Sequence, residues 1–282
     1  VTNTFNIVGC GMPTLGKIYV LNKEKNSGSE YALKYINGDA TVPLRSAEAI
    51  NSSKFYITGS EHSNIPSADG ARQLIASILK DKQSYFNFSG HSNLSLDKNI
   101  CSFSGTQVSF HSPIELHIYD ENNNHLGPLE NGDIELGIDG ASYDEVEGNK
   151  FAFLPNGHNY RVIGKATDMG TFNARIELVE DGTYKKTVYY NEAPLRSPNS
   201  TVQFGLSEGQ SNYSILIDNE GDGNFDQEIL PSSILNEEES EDLIKPETNI
   251  TIPTSTGLNG WYTKDVNIKF VANDNEGGSG IL

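Results

Sequence analysis

From about Tyr85 to Ile217 the chain repeats one pattern: short segments in which apolar and polar residues alternate, set apart by clusters of Gly, Asn and Asp. Alternation with period two sends successive side chains to opposite faces of a strand, and glycine and asparagine supply the turn geometry between strands. The segments are 107–110, 114–119, 133–138, 150–153, 160–167, 171–179, 183–190, 201–206 and 214–217. Short strands at this spacing predict a β-sandwich over residues 86–235. Its core should draw on Ile114, Leu116, Ile118, Phe151, Phe153, Val162, Phe172, Ile176, Val188 and Ile215. This stretch shows no helical period.

Residues 1–85 read differently. Phe5–Gly9 is an apolar run of the buried-strand type, Lys17–Leu21 and Tyr31–Ile36 alternate, and Lys54–Thr58 runs into Gly59. A helix is predicted next, capped by Ser67 or Asp69, with Ala71, Leu74, Ile75, Ile78 and Leu79 at helical spacing. Lys80 and Lys82 fall where the C-terminal end of a helix dipole favours cations. Strand, loop and helix in this order suit the edge of an α/β sheet, so the expected fold class is α/β plus all-β. The run Asn236-Glu-Glu-Glu-Ser-Glu-Asp cannot bury its like charges and predicts a hydrated linker over 236–247. Residues 248–282, with Asn259-Gly-Trp-Tyr and an alternating stretch from Asp265, read as the first strands of an immunoglobulin-like module. They are too few to close such a domain of roughly 100 residues. Both ends of the sequence read as cut.

Charge narrows the partners. The 38 Asp+Glu outnumber the 20 Lys+Arg for a net charge of -18, and all of the excess lies beyond residue 85. A field of that sign repels phosphate backbones, which argues against nucleic acid, and it is drawn poorly to anionic membrane surfaces. No apolar run approaches the ~18 residues a spanning helix needs. With 27 Gly, 13 Tyr and a mean hydropathy of -0.45, the composition is that of a soluble, turn-rich and strand-rich protein. The 2 cysteines, Cys10 and Cys101, leave a disulfide open, since their spacing does not argue for one, and no zinc site follows.

The segment that carries chemistry is Ile36-Asn-Gly-Asp-Ala-Thr-Val-Pro-Leu-Arg-Ser-Ala, followed after one strand by Thr58-Gly-Ser-Glu-His-Ser-Asn-Ile-Pro. An α/β-hydrolase orders its triad as nucleophile, acid, histidine, with acid and histidine in loops that follow successive strands. Tyr31–Ile36 precedes Asp39 and Lys54–Thr58 precedes His62 in that way. A carboxylate would hold the imidazole in one tautomer, and the imidazole would take a serine's proton and later return one. Gly38 gives the turn backbone freedom and Pro43 stiffens its exit. The bland alternative is a turn aspartate and a surface histidine that never meet.

Gly38-Asp-Ala-Thr-Val-Pro, with Ile7-Val-Gly-Cys-Gly-Met-Pro-Thr before it and Glu61-His after it, resembles the end of lecithin:cholesterol acyltransferase-like and related bacterial lipase-like proteins. The resemblance covers about the first 80 residues. It implies the C-terminal part of an α/β-hydrolase acting on lipid or other acyl esters, with Asp39 and His62 at the acid and base positions. Ala40 departs from the glycine usual in that motif, and a positive φ there would be strained. No Gly-x-Ser-x-Gly precedes Asp39, so the nucleophile and the oxyanion donors are expected upstream of Val1. Gly90-His-Ser-Asn-Leu is a decoy: Leu94 replaces the last glycine, and no helix is predicted after Ser92.

A second candidate is Asp218-Asn-Glu-Gly-Asp-Gly-Asn-Phe-Asp. Asp218, Glu220 and Asp222 fall at the first three ligand positions of a calcium loop, Gly223 at its sharp turn, and Asn224 and Asp226 at later positions. A structural Ca2+ ion is the cofactor such a loop would take. Ile229 stands where the closing glutamate belongs, and an Asp/Gly-rich hairpin turn is the plain alternative. His91, His111, His117, His125 and His158 show no ligand spacing, and the Asn87, Asn93 and Asn249 sequons are expected by chance. Tyr119, Tyr143, Tyr160, Tyr189 and Tyr190 could line a carbohydrate surface, although strand tyrosines more often pack. The sequence therefore predicts part of an extracellular or surface serine hydrolase or O-acyltransferase, its β-domains available for envelope or glycan attachment. The alternative is a non-catalytic adhesion or glycan-binding protein.

Overall fold

The computed structural model describes residues 4–24, 28–236, 247–253, 261–263 and 265–273. Residues Val1–Ile234 form one compact unit and Leu235–Leu282 a second. The protein is β-rich, built from several sheets.

Alternation within its strands sets the N-terminal architecture. The elements in chain order are β1 (Phe5–Cys10), β2 (Met12–Glu24), β3 (Gly28–Gly38), α1 (Leu44–Ala47), β4 (Ser53–Thr58), α2 (Ala71–Leu79) and β5 (Leu94–Ser95). β1 lies parallel to β4, from Phe5 opposite Ser53 to Cys10 opposite Thr58, and β5 adds antiparallel to β4. Phe5, Ile7, Phe55 and Ile57 gather on one face with Ala71 and Leu74 of α2. Val8, Cys10 and Tyr56 gather on the other with Leu44 of α1. This one parallel pair is the extent of the α/β layering among the described residues.

The strands before Asp39 and before His62 follow one another in sequence but do not pair: Tyr31–Ile36 belongs to β3, which pairs antiparallel with β2 in a separate two-stranded sheet. The neighbour of β4 is β1. Neither Ser67 nor Asp69 caps α2, whose N-cap is Gly70 at φ 73 with no side-chain cap. Ser67 ends a 3-10 turn, His62–Ser67, and Asp69 is engaged by His91 instead.

The sandwich comprises β6 (Gly105–His111), β7 (Ile114–Asp120), β8 (His125–Pro128), β9 (Ile134–Leu136), β10 (Ser142–Val146), β11 (Asn149–Pro155), β12 (Tyr160–Ala166), β13 (Gly170–Glu180), β14 (Thr183–Leu195), β15 (Thr201–Leu206), β16 (Ile215–Asp218), β17 (Gln227–Ile229) and β18 (Ser233–Asn236). One sheet runs β10-β11-β6-β13-β14-β18 and the other β17-β16-β15-β12-β7-β8-β9. All ten predicted core residues are buried. Phe151 and Phe153, however, are absent from the core between the sheets, where Ala152 and Leu154 of β11 stand. Phe153 turns the other way and packs with Tyr35, Phe103 and Val179. Parity explains the difference. A strand covered on both faces carries apolar residues at even and odd positions, and alternation then gives no sign of which face is inner.

The cover on that second face comes from the β2–β3 hairpin. Gln107 Nε2 donates to Leu33 O at 2.9 Å, and Tyr35 N–H donates to the Tyr184 hydroxyl at 2.9 Å. Tyr35 also gives its own hydroxyl proton to Asp144. Burial and the Asp144 charge beside it push the Tyr35 phenol well above its ordinary value, so it stays a donor. Cys10 and Cys101 form a disulfide, Cα–Cα 5.2 Å, closing a loop across 91 residues. In the second unit β19 (Glu247–Thr251) pairs antiparallel with β20 (Lys269–Asn273). The acidic run 237–246 and the Asn259-Gly260 pair lie outside the described residues.

Candidate active site

The two loops singled out by sequence meet. Asp39 leaves β3 at the C-terminal ends of the parallel strands β1 and β4, where open α/β sheets hold their ligands. His62 leaves β4 three residues after Gly59. His62 Nδ1 lies 2.8 Å from Asp39 Oδ2. A carboxylate only accepts, so the proton of that bond sits on Nδ1. The backbones are joined as well, His62 N–H donating to Asp39 O at 2.9 Å.

The burial of the pair is asymmetric. The Asp39 side chain is 4% exposed and that of His62 is 54% exposed. Buried carboxylates need partners, and Asp39 has them: Val42 N–H at 2.6 Å and Thr41 N–H at 3.2 Å on Oδ1, and the imidazole on Oδ2. Among the described residues Nε2 of His62 has no hydrogen-bond partner, and it belongs to a half-exposed ring. The arrangement can therefore orient an imidazole from behind and present its second nitrogen to a proton donor in front.

Local sequence explains why the acid loop sits so close to the sheet. A Cβ on Gly9 would meet Ile65 Cδ1 at 2.4 Å and Asp39 Cβ at 2.7 Å, so glycine in β1 lets both loops descend onto the strand. Ala40 does adopt φ 68, the left-handed conformation its sequence context required. Its N–H is held by Thr14 Oγ1 at 2.9 Å, from a side chain buried under the loop. A Cβ on Gly38 would come within 2.4 Å of that same Oγ1.

The other candidates sort by burial. Asp218, Glu220, Asp222, Asn224 and Asp226 do share the loop between β16 and β17, and Gly223 makes the sharp turn at φ 89. Asp218 Oδ1 accepts the Gly221 N–H at 2.7 Å and those of Glu220 and Asp222, while Oδ2 accepts Gly223 N–H at 2.7 Å. Those backbone N–H groups hold the Asp218 carboxyl below its usual range against the opposing effect of desolvation. Asp222 binds Asn224, and Asp226 Oδ2 accepts Asn219 N–H at 2.7 Å. Among the described residues no three His, Cys, Asp or Glu side chains gather as a metal would require. In this conformation the loop is closed by its own carboxylates.

Ser92 lies on the turn before β5, and its neighbour His91 is bound to Asp69 at 2.8 Å. Tyr160, Tyr189 and Tyr190 are buried, and Tyr143 packs against the core. Tyr119 remains partly open with the Arg161 guanidinium 4.6 Å above its ring. One cluster escaped the sequence reading: His117 Nδ1 lies 3.1 Å from His125 Nε2, and His125 Nδ1 lies 2.7 Å from Glu135. The only sequence sign is that the two histidines stand eight residues apart on either side of the turn joining β7 to β8, His117 within β7 and His125 at the start of β8. Two imidazoles sharing a hydrogen bond do not make a metal centre. No helix among the described residues is long and apolar enough to cross a membrane. No family model, curated protein or solved structure matches the chain.

Proposed function

We propose that Asp39 and His62 are the acid and the base of a serine-dependent acyl-transfer site of the α/β-hydrolase kind. The protein containing them would cleave lipid or other acyl esters, or pass their acyl group to an alcohol. The observation that carries the reading is the 2.8 Å bond from His62 Nδ1 to a buried Asp39, with the imidazole's other nitrogen left open. Nε2 would take the proton of an attacking serine hydroxyl, and the resulting imidazolium would be stabilised by Asp39 and return the proton to the leaving alkoxide. On this reading the serine and the oxyanion donors would have to be supplied by sequence outside Val1–Leu282. The Cys10–Cys101 disulfide favours an oxidising, extracellular or surface location.

The test is covalent labelling of an upstream-extended protein with a fluorophosphonate probe. Labelling should occur at a serine and be lost in His62→Ala. Undiminished labelling of His62→Ala would overturn the assignment.

A further inference from the structure

We infer that Asn37 is a positioning residue for the Asp39–His62 pair and that it acts through the Cys10–Cys101 disulfide, an inference that rests on the reading of that pair as a catalytic dyad. Asn37 lies two residues before Asp39, near the end of β3. There it faces Pro13 of β2, which has no N–H to give, so the hairpin ladder itself is weak at this step. The Asn37 side chain supplies what the ladder lacks. Its Oδ1 accepts Gly11 N–H at 3.0 Å and its Nδ2 donates to Cys101 O at 2.8 Å.

Those two bonds close a ring. Gly11 follows Cys10, Cys10 is joined through sulfur to Cys101, and the Cys101 carbonyl returns to Asn37. From the same ring a second arm leads to the histidine: Cys10 O accepts Gly59 N–H at 3.0 Å, at the start of the loop that carries His62. Packing leaves little play, since a Cβ on Gly11 would sit 2.0 Å from Thr58 Oγ1. The ring thus ties the strand end before the acid to the strand end before the base. Losing it would leave the acid loop held to β2 by Thr14 and to the histidine loop by the dyad's own bonds.

The protein carries its own control. His91 and Asp69 form a second pair at 2.8 Å that touches no member of the ring. Imidazole nitrogen NMR of the chain should show a hydrogen-bonded Nδ1–H on both His62 and His91. In Asn37→Leu and in Cys101→Ser, exchange of the His62 proton should accelerate by roughly tenfold or more, the scale of a lost hydrogen bond, while His91 stays unchanged. Asn37→Asp keeps the acceptor toward Gly11 and loses the donor toward Cys101, so it should fall between. An unchanged His62 signal, or His62 and His91 loosening together, would overturn the inference. A missing His62 Nδ1–H in the oxidised wild type would sink the pairing as well. A normal brace response in a protein whose extended form never labels would sink the functional reading alone.

Discussion

Asp39–His62 and Asp69–His91 have the same geometry on paper, each with Nδ1 to Oδ2 at 2.8 Å, and opposite surroundings. In the first the carboxylate is buried and the ring is 54% exposed; in the second the carboxylate is 66% exposed and the ring only 18%. His91 stacks on Phe86 with centroids 5.7 Å apart and fills the space a side chain on Gly70 would need. It is packing material that found a surface partner. His62 is held from behind and open in front. An Asp–His distance therefore says little until the burial of each partner is known, because only a ring with an accessible second nitrogen can move a substrate's proton.

The sharpest way to break this comparison is to remove each ring. In the upstream-extended protein, His62→Ala should lower kcat/KM for an acyl ester by about 10⁴-fold or more, the usual consequence of losing a triad histidine. His91→Ala should leave it within a factor of about three, since His91 touches nothing in the site. Comparable losses would dissolve the distinction. Next in size, Gly9→Ala forces a methyl group into Ile65 and Asp39. Overpacking of this kind costs about 1–3 kcal/mol, so urea midpoints should fall and the His62 Nδ1–H signal should shift while that of His91 holds.

A buried histidine of the sandwich extends the contrast to pH. Burial first, then the Arg175 and Lys150 charges, push His111 down to about 4 from 6.5. The folded state keeps it neutral while the unfolded chain takes up a proton, so its contribution is complete above pH 6.5 and is lost as pH falls toward 4. Urea unfolding at pH 7 and pH 4.5 should show a loss of stability that is smaller by about 2 kcal/mol in His111→Gln. An equal loss in the variant would place the titration elsewhere. The next effect is smaller and opposite in sign. Ala40→Gly relieves the left-handed φ at the acid loop and should stabilise by about 0.5–1 kcal/mol. Calcium is expected to do least: with Asp218 spent on backbone N–H groups, adding the ion in place of a chelator should move Tm by under about 2 °C. A larger rise would mean the loop reorganises to bind it.

How much of this was legible in sequence follows from which residues carry the signal. The long alternating segments around Ile114–Ile118, Val162 and Ile176 became strands with the expected core, because period two survives wherever one face is buried. β5, β8, β10, β17 and β18 were not foreseen; they are short, and Ser142–Val146 reads as a polar turn rather than a strand. The start of α2 was misplaced because Gly70 adopts the left-handed conformation, so no capping side chain was needed. At the site, Asp39 and His62 were visible because a turn motif and a strand end announce them. Gly9, Thr14, Asn37 and the disulfide were not, since their roles depend on which strands lie side by side. The neighbour of β4 proved to be β1, and only that pairing brings Cys10, Gly59 and Asn37 together beneath the dyad.

The most direct measurement of the central claim is a double-mutant cycle on Asp39 and His62 in the extended protein, read as kcat/KM for an acyl ester. Groups that act as one unit are strongly non-additive, so Asp39→Asn and His62→Ala should each cost orders of magnitude and the double variant no more than His62→Ala alone. Independent, additive losses, or an Asp39→Asn enzyme of near wild-type activity, would contradict it.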